Sequence, residues 1–290
     1  MKNEHPIWLR KRISDPSLLF KMKDLLDGLH LHTVCESAEC PNQAECFSKG
    51  TAVFLILGDT CTRNCRFCAI KKGHPSPLDP SEPQNVAEAV SRLKLKHAII
   101  TSVTRDDLPD GGARHFAKTI NAIRQTNSQT TIEVLIPDFQ GSSAALKIIV
   151  NSPLEVINHN VETVPRLYPY VRPKADYHRS LNLLLRVKEM NPKIVTKSGL
   201  MLGLGESHDE VIRVMGDLRQ VDCDLLTIGQ YLRPSPSHYP VCRYIPPQEF
   251  EEYQAIALEV GFKGVASAPL VRSSFNAADM YTKLEVGWKR

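Results

Sequence analysis

The stretch AVFLILGDTCTRNCRFC, residues 52–68, decides the fold. It begins with a continuous apolar run that ends at Leu57, which is typical of a β-strand covered on both faces, as in a parallel sheet. Three cysteines follow closely, at Cys61, Cys65 and Cys68. Ligands of such sheets bind where the carboxyl ends of the strands meet, so we expect these thiols at the rim of a binding site.

Downstream of this stretch, short apolar runs alternate with amphipathic segments, which is the pattern of repeated βα units. The apolar runs predict further strands at residues 98–103, 132–136, 154–157, 197–202 and 225–229. The amphipathic segments place apolar side chains at three- and four-residue spacing, in sets that begin at Val86, Phe116, Leu146, Leu181 and Val211. Six such units favour an α/β fold with a partial (β/α)6 TIM-like barrel.

Two pairs of polar residues mark predicted helix starts. Asn85 with Glu88, and Ser207 with Glu210, have the spacing of an N-cap residue and its acidic partner at the third helical position. We therefore expect one helix to begin at each pair.

The barrel is predicted to occupy residues 51–230, between two extensions. Residues 1–50 have no strong hydrophobic period and are interpreted as an N-terminal extension laid over the core. Residues 231–290 begin with a proline-rich loop signal, continue with one helical pattern around Tyr253, and end in a tail. We expect the two extensions to cover the barrel mouth.

The composition limits the classes of function. With 290 residues, of which 42% are hydrophobic and 23% charged, the chain is long enough for a full core and too apolar for intrinsic disorder. Its net charge of +4 is too small to indicate nucleic-acid binding. No stretch approaches the ~20 apolar residues of a transmembrane helix. These features predict a soluble, cytoplasmic protein that binds neither nucleic acid nor membrane.

Six of the eight cysteines lie between Cys35 and Cys68, and this clustering points to the chemistry. In a reducing compartment, clustered thiols bind metal or carry out redox reactions more often than they form disulfides. The two remaining cysteines, Cys223 and Cys242, are isolated, and we expect neither to take part in a metal site.

Each of two cysteine sets supplies three thiolates, one fewer than the four irons of a [4Fe-4S] cluster. The C-x3-C-x2-C spacing from Cys61 to Cys68 can hold three irons of a [4Fe-4S] cluster and leave the fourth iron open for another ligand. Upstream, Cys35, Cys40 and Cys46 form a C-x4-C-x5-C set that also supplies three thiolates. Spacing alone leaves open, for each set, a zinc site completed by a distant ligand, or cysteines without any metal.

A strand followed by C-x3-C-x-Phe-C and a βα series resembles the radical S-adenosylmethionine (SAM) superfamily. Together, the two cysteine sets resemble the lipoyl synthase family within it. This likeness extends over nearly the whole chain. It is carried by SVTRDDLPDGG at 102–112, NHNVET at 158–163, TKSGLMLGLGE at 196–206, TIGQY at 227–231 and RSSF at 272–275.

The resemblance implies two [4Fe-4S] clusters together with SAM. The cysteines of residues 61–68 would hold the first cluster, whose open iron binds SAM. The cysteines of residues 35–46 would hold an auxiliary cluster, completed by a serine oxygen from the family's Arg-Ser-Ser-Tyr motif. Carried over, that serine is Ser274, with Ser273 as the second choice. The motif here ends in Phe275, so the tyrosine hydroxyl of the family is absent.

The resemblance also implies a reaction and its partners. The reaction is the insertion of two sulfur atoms at C6 and C8 of an octanoyl chain on a lipoyl carrier domain, with the auxiliary cluster as sulfur donor. No side-chain acid or base removes hydrogen from these unactivated carbons near neutral pH, so a radical from the cofactor is required. The implied partners are the octanoylated carrier domain, an electron donor such as ferredoxin or flavodoxin, and an iron–sulfur cluster carrier.

Candidate SAM contacts lie after the predicted strands. Asn160 and Glu162 follow the fourth strand and are candidates for holding the ribose hydroxyls. Lys197 is a candidate partner for the methionine carboxylate, and Asp106 and Arg233 are candidates for the rim. For each of them, the alternative is a surface salt bridge or a loop hydrogen bond.

Two other functions are compatible with paired cysteine sets. A methylthiotransferase acting on tRNA or on a protein also pairs two clusters, but it would be expected to carry an RNA-binding domain, which this sequence does not show. A non-catalytic zinc-binding interaction protein is the alternative outside the superfamily.

Overall fold

A computed structural model of the chain describes residues 6–9, 16–37, 40, 42, 45 and 53–288. The strands are β1 (His32–Thr33), β2 (Val53–Ile56), β3 (Thr60–Cys61), β4 (Lys71–Lys72), β5 (His97–Ser102), β6 (Thr131–Leu135), β7 (Val156–Asn158), β8 (Val195–Leu202), β9 (Leu225–Gln230) and β10 (Gly264–Ser267). The α-helices are α1 (Pro16–Gly28), α2 (Val34–Ser37), α3 (Glu82–Arg92), α4 (Ala113–Thr126), α5 (Ser143–Val150), α6 (Tyr168–Val171), α7 (Tyr177–Met190), α8 (His208–Gln220), α9 (Pro247–Val260) and α10 (Ala277–Trp288). Within these described residues, short 3-10 helices lie at Ile7–Leu9, Phe139–Gly141 and Pro165–Leu167.

In the described part of the chain, one eight-stranded sheet organises the fold, in the order β1-β2-β5-β6-β7-β8-β9-β10. Its neighbouring strands are parallel, except that β1 runs antiparallel to β2. The six strands predicted from the apolar runs are all present, at close to the predicted positions. The α/β class and the partial barrel are therefore confirmed.

Amphipathic helices cover the sheet where the three- and four-residue spacing predicted them. One predicted start is confirmed, because Ser207 and Glu210 form a reciprocal capping box at the beginning of α8. The other is wrong, because α3 begins earlier, at Glu82, and Asn85 lies inside it. The Asn85 side chain instead donates to the Leu29 carbonyl oxygen at 3.0 Å, which ties α3 to the N-terminal segment.

The C-terminal segment contains more structure than the single predicted helix. The predicted tail contributes β10, which lies parallel to β9, and the helix α10. In α10, Met280 and Leu284 pack against Val156, Val195 and Leu225, the first residues of β7, β8 and β9. The last helix therefore covers the amino ends of these strands, opposite the end where a ligand is expected.

The segment that joins β10 to α10 lies along β9. The Ala268 backbone nitrogen donates to the Ile228 oxygen at 3.1 Å, and the Gln230 nitrogen donates to the Pro269 oxygen at 3.1 Å. Position 229 of β9, between Ile228 and Gln230, requires a glycine, since a Cβ on Gly229 would lie 2.0 Å from the Val271 carbonyl oxygen.

The two extensions meet at this segment. The side chain of Asn42 donates to the carbonyl oxygen of Leu270 at 2.6 Å, which joins the N-terminal extension to the C-terminal one. Among the described residues, no helix is both long and apolar enough to cross a membrane.

Candidate active site

The loop from Cys61 to Cys68 is held between two short strands. Cys61 ends β3, which pairs in parallel with β4 and so closes the loop. The Cys61 sulfur accepts backbone N–H groups from Arg63 at 3.4 Å and from Thr104 at 3.3 Å. These two contacts hold the Cys61 sulfur in place at the end of β3.

All three thiols of this loop line one cavity of about 340 Å³. The carboxyl ends of the central strands form most of its wall, as predicted for a ligand site in a parallel sheet. The extensions complete the wall, with Val34 from the N-terminal side and Val271, Arg272 and Ser273 from the C-terminal side. The cavity therefore lies between the first cysteine set and the residues next to the predicted auxiliary ligands Cys35 and Ser274.

Two half-buried thiols of this loop, those of Cys65 and Cys68, have raised pKa values. Burial raises the pKa of Cys68 to about 12 and also raises the pKa of Cys65, although the nearby Arg172 opposes the shift at Cys65. Without metal these two thiols stay protonated at neutral pH, and a soft metal displaces their protons on binding.

In the described part of the chain, no three His, Cys, Asp or Glu side chains are close enough to hold a single ion. A cubane cluster makes a different demand, because each thiolate binds its own iron.

Polar groups near the cavity lack partners. Asn160 Oδ1, His159 Nε2 and Ser102 Oγ are buried, belong to residues of the cavity wall, and have no hydrogen-bond partner among the described residues. Leaving such groups unpaired costs ~1–3 kcal/mol each, so this part of the cavity fits a polar ligand such as SAM. Burial, assisted by Arg172, lowers the pKa of His159 to about 4, so its ring is neutral near pH 7.

Two of the predicted SAM contacts are brought together. The Asn160 side-chain nitrogen donates to Glu162 Oε1 at 3.1 Å, and both residues line the cavity. Burial raises the pKa of Glu162, whose backbone has a left-handed φ of 65°. Asn160 fits against β8 because Gly199 has no side chain: a Cβ there would lie 2.7 Å from Asn160 Oδ1.

Asp106 does not line the cavity but holds Arg63, which does. Its carboxylate accepts from Arg63 Nε at 2.7 Å, and Arg63 also donates to Asp138 at 2.6 Å. Arg63 and Asp138 both line the cavity, whereas Asp106 lies outside its wall. Although burial alone would raise it, the hydrogen bonds from Arg63 hold the pKa of Asp138 well below its usual range. This bridge fixes the loop between Cys61 and Cys65, and sequence reasoning missed it because its members lie far apart in the chain.

Lys197 and Arg233 are not brought to the cavity wall. Lys197 is fully buried inside the barrel, where its Nζ lies 2.9 Å from Glu133 Oε1. Burial alone would raise the pKa of Glu133, but Lys197 lowers it to about 2, so the Glu133 carboxylate is ionised near pH 7. Arg233 donates to the His238 carbonyl oxygen at 2.9 Å.

Of the four predicted auxiliary ligands, the structure describes Cys35, Cys40 and Ser274. Cys35 is buried at the start of α2, and Cys40 is half-buried and interacts electrostatically with Arg272. Ser274 lines a second cavity of about 530 Å³ together with Glu45 and Phe275, whereas Ser273 faces the first cavity.

One predicted ligand, Cys46, lies outside the described residues, although its neighbour Glu45 borders the cavity that contains Ser274. Of the isolated cysteines, Cys223 is fully buried and Cys242 is exposed. Neither lines the cavity that holds the three thiols.

Known proteins resemble this chain in sequence and in fold. The family model of the radical SAM superfamily matches residues 55–218, more than half of the chain. The lipoyl synthase of Caldanaerobacter subterraneus subsp. tengcongensis is 59% identical over 94% of this chain and 95% of its own. The lipoyl synthase of Alkaliphilus metalliredigens is 58% identical over 97% of both chains.

Solved structures share the fold at low sequence identity. Streptococcus suis SuiB bound to S-adenosylmethionine has a TM-score of 0.59 at 9% identity, covering 79% of this chain and 54% of its own. HydG, a maturase of the [FeFe]-hydrogenase, has a TM-score of 0.56 at 14% identity, covering 90% of this chain and 62% of its own. At this level of identity the likeness supports the radical SAM fold alone.

The buried pair of Lys197 and Glu133 gives a stability prediction. Replacing Lys197 by Met leaves the Glu133 carboxylate buried without its cation, so the free energy of unfolding should fall by ~3–5 kcal/mol. Urea denaturation of the metal-free protein measures this change. The double variant Lys197→Met/Glu133→Gln removes both charges and should lose less. Weaker SAM binding by Lys197→Met with unchanged stability would contradict the placement of Lys197 and return it to the SAM site.

Proposed function

The chain belongs to the lipoyl synthase family of the radical SAM superfamily, and we propose which of its residues build the two halves of the reaction site. As a member of this family, it is a sulfurtransferase that forms the lipoyl cofactor from a protein-bound octanoyl chain. The methylthiotransferase and zinc-protein alternatives have no support from the relatives, which are lipoyl synthases matched over nearly the whole chain.

One observation carries the proposal. A single cavity has the three thiols of the 61–68 loop on one side and residues 271–273, next to Ser274, on the other. When bound, SAM and the first cluster supply a carbon radical that removes hydrogen from C6 and C8, and the auxiliary cluster supplies sulfur. An alkyl chain in this cavity would lie between the two sites, as the reaction demands.

The SAM half is assigned to the first cysteine set and its neighbours. Cys61, Cys65 and Cys68 hold the cluster, and their fit rests on the shared cavity and on the N–H groups donated to Cys61. Asn160 and Glu162 bind SAM, since both line the cavity and Asn160 keeps an unpaired oxygen there.

The other candidates, Asp106, Lys197 and Arg233, are assigned roles that involve no contact with SAM. Asp106 positions the loop through Arg63, and Lys197 supports the barrel interior through Glu133. Arg233 bonds to the backbone of His238, whose ring lies 3.1 Å from the Cys68 carbonyl oxygen.

The sulfur-donor half is assigned to Cys35, Cys40, Cys46 and Ser274. Support comes from the hydrogen bond between Asn42 and Leu270, which joins the two segments that carry these ligands. A serine oxygen is a harder ligand than a thiolate and suits iron less well. We infer that it makes this cluster the easier one to dismantle during turnover.

The cavity wall fits an alkyl chain as well as a polar cofactor. Leu55, Ile70, Leu135, Met201 and Val271 contribute apolar surface to it. Excluding water from such a site protects a radical from side reactions and strengthens local electrostatics. The octanoyl chain is therefore proposed to lie along this apolar part of the wall.

The proposed partners follow from the chemistry. The octanoyl chain arrives on a lipoyl carrier domain, an electron donor such as ferredoxin or flavodoxin reduces the first cluster, and a cluster carrier replaces the consumed one. We place the protein in the cytoplasm, because cysteines that hold iron–sulfur clusters need a reducing compartment.

The function is tested with an octanoyl-lysine peptide of the carrier domain. After anaerobic incubation with reconstituted protein, SAM and dithionite, mass spectrometry should show first one and then two added sulfur atoms. Release of 5′-deoxyadenosine without any added sulfur would contradict the proposed function.

The role of Ser274 is tested by Ser274→Ala, with Ser273→Ala as the matched control. Because Ser274 is assigned to the auxiliary cluster alone, Ser274→Ala should still cleave SAM but lose at least ~90% of the doubly sulfurated product. Ser273→Ala should keep most of it. Product yields are read by the same mass spectrometry, with 5′-deoxyadenosine quantified by chromatography. The reverse pattern would make Ser273 the ligand, and normal yields from both variants would remove a serine from the ligand set.

A further inference from the structure

The loop that carries the first cysteine set has an inner and an outer face. Cys61, Arg63 and Cys65 line the first cavity. Asn64 and Arg66, which alternate with them, are exposed and lie outside the cavity wall. Electron tunnelling slows steeply with distance, so a protein that reduces a cluster on this loop must approach the loop closely. The outer face is a direct approach, since its two exposed residues flank Cys65.

Later segments of the chain are bonded to this outer face. The Arg66 nitrogen donates to the Val171 oxygen at 2.8 Å, and the Tyr239 nitrogen donates to the Arg66 oxygen at 2.8 Å. Lys174 reaches the same loop, where its Nζ donates to the Thr62 carbonyl oxygen at 3.1 Å. These bonds bring three parts of the chain together on one surface.

This surface carries the exposed cations Arg66, Lys174 and Arg233. Arg233 belongs to it through His238: Arg233 donates to the His238 carbonyl oxygen at 2.9 Å, and the His238 ring nitrogen lies 3.1 Å from the Cys68 carbonyl oxygen. Among the described residues, no carboxylate forms an ion pair with any of the three cations, whose polar contacts are with backbone oxygens and an aromatic ring.

Carboxylates on the neighbouring loops have other partners. Asp106 is paired with Arg63. Asp176, although exposed, caps α7 by accepting from the Arg179 nitrogen at 2.6 Å, so its charge lies against the positive end of that helix. The outer face therefore presents positive charge that neighbouring acids do not balance. Complementary charge steers and orients protein encounters, so this surface favours an acidic partner.

Aromatic side chains give the same surface an apolar component. Tyr170, next to Val171, is 58% exposed. The Arg66 guanidinium carbon lies 5.7 Å from the centre of the Tyr239 ring. A small surface with exposed aromatic and basic side chains suits a transient redox encounter better than a permanent complex.

The carrier domain needs a different approach, because its octanoyl chain must enter the first cavity. Of the described residues that line this cavity, only Lys72 is exposed, which places the opening beside β4. Arg66, Lys174 and Arg233 all lie outside the wall. The cationic surface therefore suits the electron donor, which passes on an electron without entering the cavity.

We propose that the surface formed by Arg66, Lys174 and Arg233 is the docking site of the electron donor, a small acidic redox protein. The inference rests on the proposed function, in which the cysteines of the 61–68 loop hold the cluster that must be reduced. One electron passes from the donor's reduced cofactor to that cluster, so the donor is oxidised as the cluster is reduced. The donor then leaves, as a transient encounter allows.

The test measures docking directly, on the full-length protein with and without reconstituted iron. Binding of an oxidised, acidic flavodoxin is measured by isothermal titration calorimetry at low and at high salt. Lys174→Glu and Arg66→Glu/Lys174→Glu reverse charge on the surface. The matched control, Lys118→Glu/Lys193→Glu, makes the same change of charge at exposed positions on α4 and just before β8. Iron content and thermal unfolding confirm that each variant is folded and loaded.

Arg66→Glu/Lys174→Glu should bind flavodoxin about tenfold more weakly at low salt, because each reversal replaces an attraction by a repulsion. The difference should shrink at high salt, which screens exposed charges. Lys174→Glu should lose part of the affinity, and the control should match the parent. In stopped-flow experiments, reduced flavodoxin should reduce the loaded double variant more slowly than the parent, whereas excess dithionite should reduce both to the same extent.

Three results would overturn the inference. One is a double variant that binds flavodoxin as tightly as the parent, and another is an equal loss of affinity in the control. The third is weaker binding of the octanoylated carrier domain with unchanged flavodoxin binding, which would assign the surface to the substrate protein. Failure of the proposed function is recognised separately, because the parent would then form no sulfurated product with dithionite, whereas docking is measured without turnover.

Discussion

The close approach of two backbones at Gly229 is the contact on which the rest of the site depends. A side chain at this position would meet the Val271 carbonyl oxygen at 2.0 Å, so only glycine lets the chain after β10 lie along β9. That chain then carries Arg272 and Ser273 into the wall of the first cavity. The N-terminal extension joins it through Asn42, so the two extensions meet at the segment that follows β10.

The basic side chains around the cavity differ in whether a neighbouring group balances their charge. Arg63 is neutralised by Asp106 and Asp138, and this bridge stabilises the loop that carries the first cysteine set. His159 is neutral, because burial and a nearby cation lower its pKa. Arg272 differs from Arg63, since in the described part of the chain no carboxylate pairs with it and its Nη1 donates to the Val271 carbonyl oxygen.

The barrel could be predicted from the sequence because its signals are local and periodic. The apolar run before Cys61 and the capping box at Ser207 each specify an element within a few residues. The strand β10 could not be predicted in this way, since three of its four residues are only partly buried, at one edge of the sheet. The role of Asn85 inside α3 could not be predicted either, since its side chain donates to the carbonyl oxygen of Leu29, which is distant in sequence.

The residues of the site also separate into those that local sequence could predict and those that it could not. Cysteine spacing marked the thiols of the 61–68 loop as candidates. Their position after β2 correctly predicted that they lie together at the rim of one cavity. The partner of Lys197 was not predictable, because Glu133 lies two strands away across the barrel and no spacing rule connects them. Arg63 was missed for a similar reason: between two cysteines it has no motif of its own, and its role depends on carboxylates from later loops.

The central claim is that one cavity places the octanoyl chain between a radical source and a sulfur source built from this chain's own residues. Isotope labelling tests it most directly. The protein is reconstituted with 34S-labelled sulfide, freed of excess sulfide, and allowed a single turnover on octanoyl peptide in unlabelled buffer. The account predicts that both sulfur atoms of the product carry the label. Unlabelled sulfur in the product would contradict it, because the donor would then come from outside the protein.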